Sequence, residues 1–424
     1  MPGKKPHSIT LFVVFTLISS WLYTPAAVWA GDRLKVVHRF NGSDGAYPSA
    51  NLIIDSAGNL YGTTENGGTF GFGTVFRLAP DAKGEWSETV LHSFNQNDGA
   101  DPLDSLIFDG AGNLYGTTAF GGDAGYGTVF MLVHNEDDSW TEKLLHSFNG
   151  DDGKIPYGSV IFDSAGNLYG AAGQGGMGFC TNGCGVAFKL EQRSDGGWTE
   201  TVIHNFNRAD GEEPSNLTFD NVGNLYGATL IGGDFGCGVV FRLKSSVEGK
   251  WTETVLHSFE GRDGCVSFPS GLILDAAGNL YGTTQGGGVY GYGTVFQLSP
   301  TAKGKWSERV LHSFNHSDGA DLLDSLILDA GGNLYGTTSG GGDTKHCPNQ
   351  NDNSGCGVVF KLTRGAKGRW TETVLHKFSN TDGAYPWGGL VRDKAGHLYG
   401  TTQNGGNLKD CFGSGCGVVF EARP

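Results

Sequence analysis

The sequence predicts an all-β fold: a seven-bladed β-propeller of four-stranded antiparallel blades. Leu-Tyr-Gly follows a Gly-Asn or Gly-His turn seven times, with its tyrosines at Tyr61, Tyr115, Tyr169, Tyr226, Tyr281, Tyr335 and Tyr399. The spacing of about 54 residues is that of a supersecondary unit stacked on copies of itself. Glycine accounts for 72 of 424 residues while aromatic residues stay at 12%, so the glycine reads as turn chemistry between short strands and not as disorder. The third observation lies at the ends. The repeats begin with Lys35-Val36-Val37-His38-Arg39-Phe40, a fourth strand with nothing before it, and stop at Gly417-Val418-Val419-Phe420, a third strand with nothing after it. The N-terminal strand is therefore expected to complete the last blade and leave no open sheet edge.

In chain order, residues 1–30 carry Lys4 and Lys5, an apolar run from Ile9 to Tyr23, and small residues ending at Val28-Trp29-Ala30. This is the pattern of a cleavable signal peptide, and it predicts a secreted, periplasmic or cell-surface protein with no membrane span after cleavage. The ring then occupies 31–424 as one domain, with blades at approximately 49–95, 103–149, 157–207, 214–260, 269–315, 323–379 and 386–424 plus 34–40. The second copy shows the plan. Ser105 to Asp109 is a short apolar strand, Gly110 to Asn113 a turn, and Leu114 to Thr118 a second strand. The glycine-rich loop from Phe120 to Gly127 leads to a third strand at Thr128 to Leu132, and the fourth runs from Trp140 to Phe148.

The formal net charge is −15, and removal of Lys4 and Lys5 moves it to about −17. Such a surface repels phosphate backbones and anionic lipid, so nucleic acid and membrane surfaces are not expected partners.

The run V-L-H-S-F, D-G-A, D-x-x-G-N-L-Y-G-T-T, G-G, G-x-G-T-V-F resembles the GloVer (Gloeo_Verruco) tandem repeat of exported bacterial proteins, across nearly all of the chain after residue 30. The resemblance implies a β-propeller and brings no assigned activity. It also implies a C-terminal sorting or anchoring segment in many members, whereas this sequence stops at Glu421-Ala422-Arg423-Pro424.

Residues present in every copy read as scaffold. His38, His92, His146, His204, His257, His312 and His376 sit one per blade on the outermost strand, which spreads them around the rim instead of converging them on a metal. They are expected to pack between blades with a ring nitrogen hydrogen-bonded. Asp55, Asp109, Asp163, Asp220, Asp275, Asp329 and Asp393 precede the Gly-Asn or Gly-His turn and are expected to cap it. Asp44, Asp98, Asp152, Asp210, Asp263, Asp318 and Asp382, each before Gly, read similarly in the connection to the next blade. No D-x-D-x-D-G calcium loop occurs, and neither a metal nor a cofactor is expected. Trp86, Trp140, Trp198, Trp251, Trp306 and Trp370 open fourth strands, each followed two places later by Glu, and are expected to lie between blades.

Eight cysteines predict four disulfides. Cys180/Cys184, Cys347/Cys356 and Cys411/Cys416 each share one glycine-rich loop, and Cys237 is left to pair with Cys265 in the next connection. Cys184, Cys237, Cys356 and Cys416 fill the slot that holds Phe72, Tyr126 or Tyr292 elsewhere. The same loops vary most between copies, so a binding surface is expected on that face. Candidate contacts are the residues that break the sevenfold pattern there: Phe70, Tyr157, Phe179, Tyr290, Lys345, His346, Tyr385, Trp387, Lys409 and Asp410. Aromatic rings with amide and acidic neighbours suit sugar, so extracellular polysaccharide is the expected ligand, with an envelope protein as the other partner class and a monomer as the expected state. Two other readings stay open: a hydrolase or lyase at the pore mouth, and a purely structural ring. Neither G-x-S-x-G nor H-E-x-x-H occurs, and no carboxylate pair stands out from the repeat, so no catalytic residue is expected.

Overall fold

The computed structural model describes residues 1, 3, 34–265, 271–347 and 354–424. The expected signal peptide lies outside the described residues. From Leu34 onward the chain forms seven four-stranded antiparallel sheets. In the first blade the strands run Ile53–Ile54, Leu60–Thr64, Thr74–Pro80 and Trp86–Ser93, innermost to outermost. In the last blade Val391–Arg392, Leu398–Thr402 and Val418–Ala422 are completed by Leu34–Arg39. The ring is thus closed by the N-terminal strand, as its sequence predicts.

Every second strand reads Leu-Tyr-Gly followed by two small residues, and all five are buried. The glycine is demanded by space. A Cβ on Gly62 would stand 2.8 Å from the rings and methyls of Phe76 and Leu52, closer than carbon atoms pack. The phenylalanine thereby freed to lie over the strand also reaches the neighbouring blade. Phe40 meets Phe76 edge-on at 5.1 Å and Phe378 meets Phe420 at 5.1 Å, and five equivalent pairs complete the circle. Each such contact adds about 0.5–1.5 kcal/mol to the burial of its rings.

The fourth strand carries a β-bulge that the alternation did not predict: Val75 faces His92 while Phe76 faces Val90, leaving Leu91 extra. Beyond it, the connection to the next blade holds a residue with positive φ at Tyr47, Asp101, Ile155, Glu213, Asp321 and Tyr385. Its N–H donates to the previous blade's glycine-rich loop, as from Tyr385 to the Cys356 carbonyl (3.0 Å) and from Ile155 to that of Tyr126 (2.9 Å). Its carbonyl accepts from its own blade, as Tyr385 does from Gln403 N–H (2.9 Å). The left-handed residue is therefore a clasp between neighbours. A β-branched residue such as Ile155 holds that conformation only because both hydrogen bonds over-determine it.

All four disulfides join the expected partners. Each aspartate before the Gly-Asn turn caps it. Asp55 Oδ1 accepts the Ala57 and Asn59 N–H groups at 2.9 Å, and Oδ2 accepts Asn59 Nδ2 at 2.7 Å. His397 replaces the asparagine in the last copy. Burial raises these carboxyls, but the converging donors outweigh it and hold Asp109, Asp163, Asp220, Asp275 and Asp329 below the usual range.

Candidate functional site

Two families of carboxylates occupy the structure, one at the rim and one on the axis. At the rim every repeated histidine pairs through Nε2 with the second aspartate series, from 2.8 Å in His257–Asp263 to 3.4 Å in His204–Asp210. The glutamate two places after each fourth-strand tryptophan faces the pair of the preceding blade, as Glu88 faces His38 and Asp44. Burial pushes Glu88, Glu142, Glu253, Glu308 and Glu372 up to about 7 and Glu200 up to about 8. Each histidine thus has its ring nitrogen against a carboxylate, and the neighbouring blade's glutamate is the partner that the sequence reading did not name. His146, Asp152 and Glu200 bring three potential ligand atoms within 4.8 Å of one another. Repetition in six interfaces marks them as parts of the scaffold. The tryptophans lie between blades, Trp86 against Tyr399 and Trp251 against Tyr169, both at 5.8 Å.

The axis is built from the three residues that enter each innermost strand. Directly before the strand's leucine, which is Val160 in the third blade, stand Asn51, Ser105, Ser159, Asn216, Gly271, Ser325 and Gly389. One place earlier stand Ala50, Asp104, Gly158, Ser215, Asp324 and Gly388, the fifth copy lying outside the described residues. Among these, Asp104 and Asp324 alone carry ionisable side chains. Asn216 Nδ2 donates to Asp104 Oδ2 (2.8 Å), and Asn216 Oδ1 accepts the Ser159 N–H (2.8 Å) and hydroxyl (3.0 Å). Across the axis Asn51 Nδ2 donates to Asp324 Oδ1 (3.2 Å) and the Gly389 N–H donates to Asp324 Oδ2 (3.0 Å). The backbone N–H groups of Ser105 and Ser325 also cap Asp104 and Asp324. Blades two, three and four thus supply one half of the site and blades six, seven and one the other, a pseudo-twofold arrangement inside a sevenfold ring. Gly271 sits in the remaining gap, where a Cβ would meet the Ser325 and Asn216 Cβ atoms at 3.4 and 3.5 Å.

Above this level a cavity of about 70 Å³ opens between Leu103 and Leu323, Ser49 and Ser215, and Tyr157 and Trp387, with Asp104, Asp324 and Asn216 completing its lining. Among the described residues none that lines it is basic. Burial, then the charge of Asp104, pushes Asp324 up to about 7, and burial raises Asp104. The left-handed clasps add Asp101 and Glu213 and the start of one glycine-rich loop adds Glu65. Burial raises all three, reinforced for Glu65 by Asp101 and for Glu213 by Glu212.

The pore mouth therefore does contain a carboxylate pair outside the repeat, which corrects the sequence reading. The signal was present: Leu103-Asp104-Ser105 and Leu323-Asp324-Ser325 are identical triplets where other copies have Ala, Gly or Ser for the aspartate. Of the predicted contacts, Tyr157 and Trp387 line the cavity. Phe70, Phe179 and Tyr290 are exposed tips on peripheral loops, and Lys345 and Lys409 are exposed there too. His346 pairs with Asp343 (2.7 Å), Asp410 accepts from Asn407 Nδ2 (2.7 Å), and Tyr385 is a half-buried clasp residue. Among the described residues no helix is long and apolar enough to cross a membrane.

Fold and axis together define a seven-bladed β-propeller whose repeat is broken at one central mouth. The chain belongs to the Gloeobacter/Verrucomicrobia repeat family, whose pattern matches residues 22–194 and 177–348. No curated protein matches the sequence. A virginiamycin B lyase from Staphylococcus aureus is similar in structure, with 11% identity, 92% of this chain and 100% of that one covered, and a TM-score of 0.51. An ancestral GH74 enzyme has 14% identity, coverage of 90% of this chain and 48% of its own, and a TM-score of 0.57, so this chain spans about half its length. At these identities the likeness is one of fold.

Proposed function

We propose that the protein is an exported binding propeller that holds a carbohydrate at the axial mouth, between Tyr157 and Trp387. The observation that carries this reading is the convergence of non-repeated residues, Asp104, Asp324, Asn51, Asn216, Tyr157 and Trp387, on one point of an otherwise repeated ring. Sugars alternate apolar ring faces with hydroxyl edges, and flat aromatics four blades apart with planar amide and carboxyl groups between them suit both. A cavity of about 70 Å³ has the space of about two water molecules, so it takes one projecting substituent while the sugar rings rest above it. Export to an oxidising compartment is supported by the four disulfides and the N-terminal sequence pattern. The test is a glycan array probed with the oxidised full-length protein and with Tyr157→Ala/Trp387→Ala. Binding by the first and not by the second is the expected result; retention of no glycan at all would sink the proposal.

A second reading, a hydrolase or lyase, is favoured by Asp324 alone. A carboxyl held up to about 7 is partly protonated at neutral pH, as a general acid must be. Release of new chain ends from a bound glycan, abolished in Asp324→Asn with binding retained, would establish it.

A further inference from the structure

The carbohydrate reading can be narrowed by asking what the axial cavity lacks, and the answer rests on that reading. We propose that the cavity receives an alkylammonium group, so that the preferred ligand is a glycan of 2-amino sugars with free amines.

Among the described residues the cavity is lined by two carboxyl groups and by no basic residue; Glu65, beside Asp101, shares a hydrogen bond with the lining Ser49, and Glu213 stands close to the lining Tyr157. Among the described residues Asp104 and Asp324 are served by neutral donors alone: the side-chain amides of Asn216 and Asn51, backbone N–H groups that include those of Ser105, Ser325 and Gly389, and the Ser105 and Ser325 side chains. Among the described residues nothing in the lining neutralises them, and the charge of Asp104 raises the cost of ionising Asp324. What this set accepts is a compact cation bearing several N–H donors. An ammonium offers three donors and no acceptor, and a group of that size suits about 70 Å³.

The same features reject the alternatives. An N-acetyl group is neutral and bulkier than the cavity allows. A uronic acid would bring one more carboxylate into a place where those present already resist ionisation. A hard divalent cation wants six or more oxygen ligands, more than two aspartates and their amide neighbours supply.

Isothermal titration of the oxidised full-length protein separates these cases. The ligands are a glucosamine hexamer, its N-acetylated counterpart, a neutral glucose hexamer and free lysine, at a pH where the amines are protonated. The expected result is at least tenfold tighter binding of the glucosamine hexamer than of the N-acetylated one. That preference should collapse in Asp104→Asn/Asp324→Asn, whose amides keep the size of the groups they replace; single Asp324→Asn reports if the double variant fails to fold. Equal affinity for all three hexamers would overturn the ammonium site and leave the carbohydrate reading standing. Binding of lysine and of no hexamer, or of no ligand at all, would overturn both. A glucosamine preference that survives both aspartate variants would also overturn the site.

Discussion

Rim and axis hold carboxyl groups perturbed by the same physics, yet only one of them reads as a site. Burial lifts the rim glutamates to about 7 or 8 and lifts Asp324 to about 7. Judged by titration alone, Glu200 would be a better catalytic candidate than Asp324. The rim carboxyls, however, recur in six blades with the same histidine and aspartate partners, while the axial pair appears in two blades and gathers other non-repeated residues around it. In a repeat protein the departure from the repeat carries the functional information, and a shifted pKa acquires meaning only where the two coincide.

The largest expected effect breaks the scaffold and leaves the distinction intact. Phe76 and Phe296 are fully buried equivalents in blades one and five. Replacing either by Ala should cost about 3–5 kcal/mol, read by denaturant unfolding, and the two losses should agree because the sites are copies. A large disagreement would mean that the ring is energetically less symmetric than its geometry.

The seventh interface supplies a natural contrast to the other six. The N-terminal strand has no Trp-x-Glu, and its register sets Leu34 opposite Ala422 where the first blade sets Glu88 opposite Leu78. The leucine and its small partner exchange places with the glutamate and its large one, so the apolar volume is kept. Leu34 packs with Leu375 and Phe378 beside the His376–Asp382 pair. Leu34→Glu should forfeit about 1.5–3 kcal/mol of apolar burial. The loss should be greater at pH 8 than at pH 5, because the new carboxyl must ionise where its six counterparts resist doing so. Equal losses at the two pH values would show that this interface differs from the others in more than one residue.

Most of the ring was legible because its signals are local and repeated. A turn, a strand alternation and a cysteine slot can each be read within a dozen residues, and seven copies average out the noise. The clasps were not legible, because Ile155 and Tyr385 take positive φ against their own preference under hydrogen bonds from a neighbouring blade. The rim triads were half legible. The histidines and aspartates were visible, but the glutamate that completes each cluster lies about fifty residues away, on the next blade. The axial pair was missed for a different reason. Asp104 and Asp324 are 220 residues apart by their numbering, and each looks like one more acidic loop residue until the copies are aligned at that column. Tyr157 and Trp387, which line the cavity, stood out in the sequence because aromatics break a pattern more visibly than carboxylates do.

The pH dependence of stability is a smaller effect with a definite sign. A glutamate whose folded pKa is raised from 4.5 to about 7 holds its proton more tightly in the native state. Its contribution is fully present below 4.5 and is lost as pH climbs through about 7. With six such groups the melting temperature should fall between pH 5 and pH 8. The aspartates held low by their turns act in the opposite direction only as pH drops through their depressed values, below the ordinary carboxylate range, and so lie outside this window. A melting temperature higher at pH 8 than at pH 5 would contradict the burial of the glutamates.

The finest test makes rim and axis look alike in stability and different in function. Glu200→Gln and Asp324→Asn each remove one carboxyl whose folded pKa is raised. Each should therefore narrow the gap between the melting temperatures at pH 5 and pH 8 by a similar small amount. Ligand affinity at the mouth should be unchanged in Glu200→Gln, which lies on the outer strand of the third blade, and should fall in Asp324→Asn. If both variants weaken binding equally, the mouth is coupled to the blade interfaces, and the division of this ring into a repeated scaffold and a single unrepeated site does not hold.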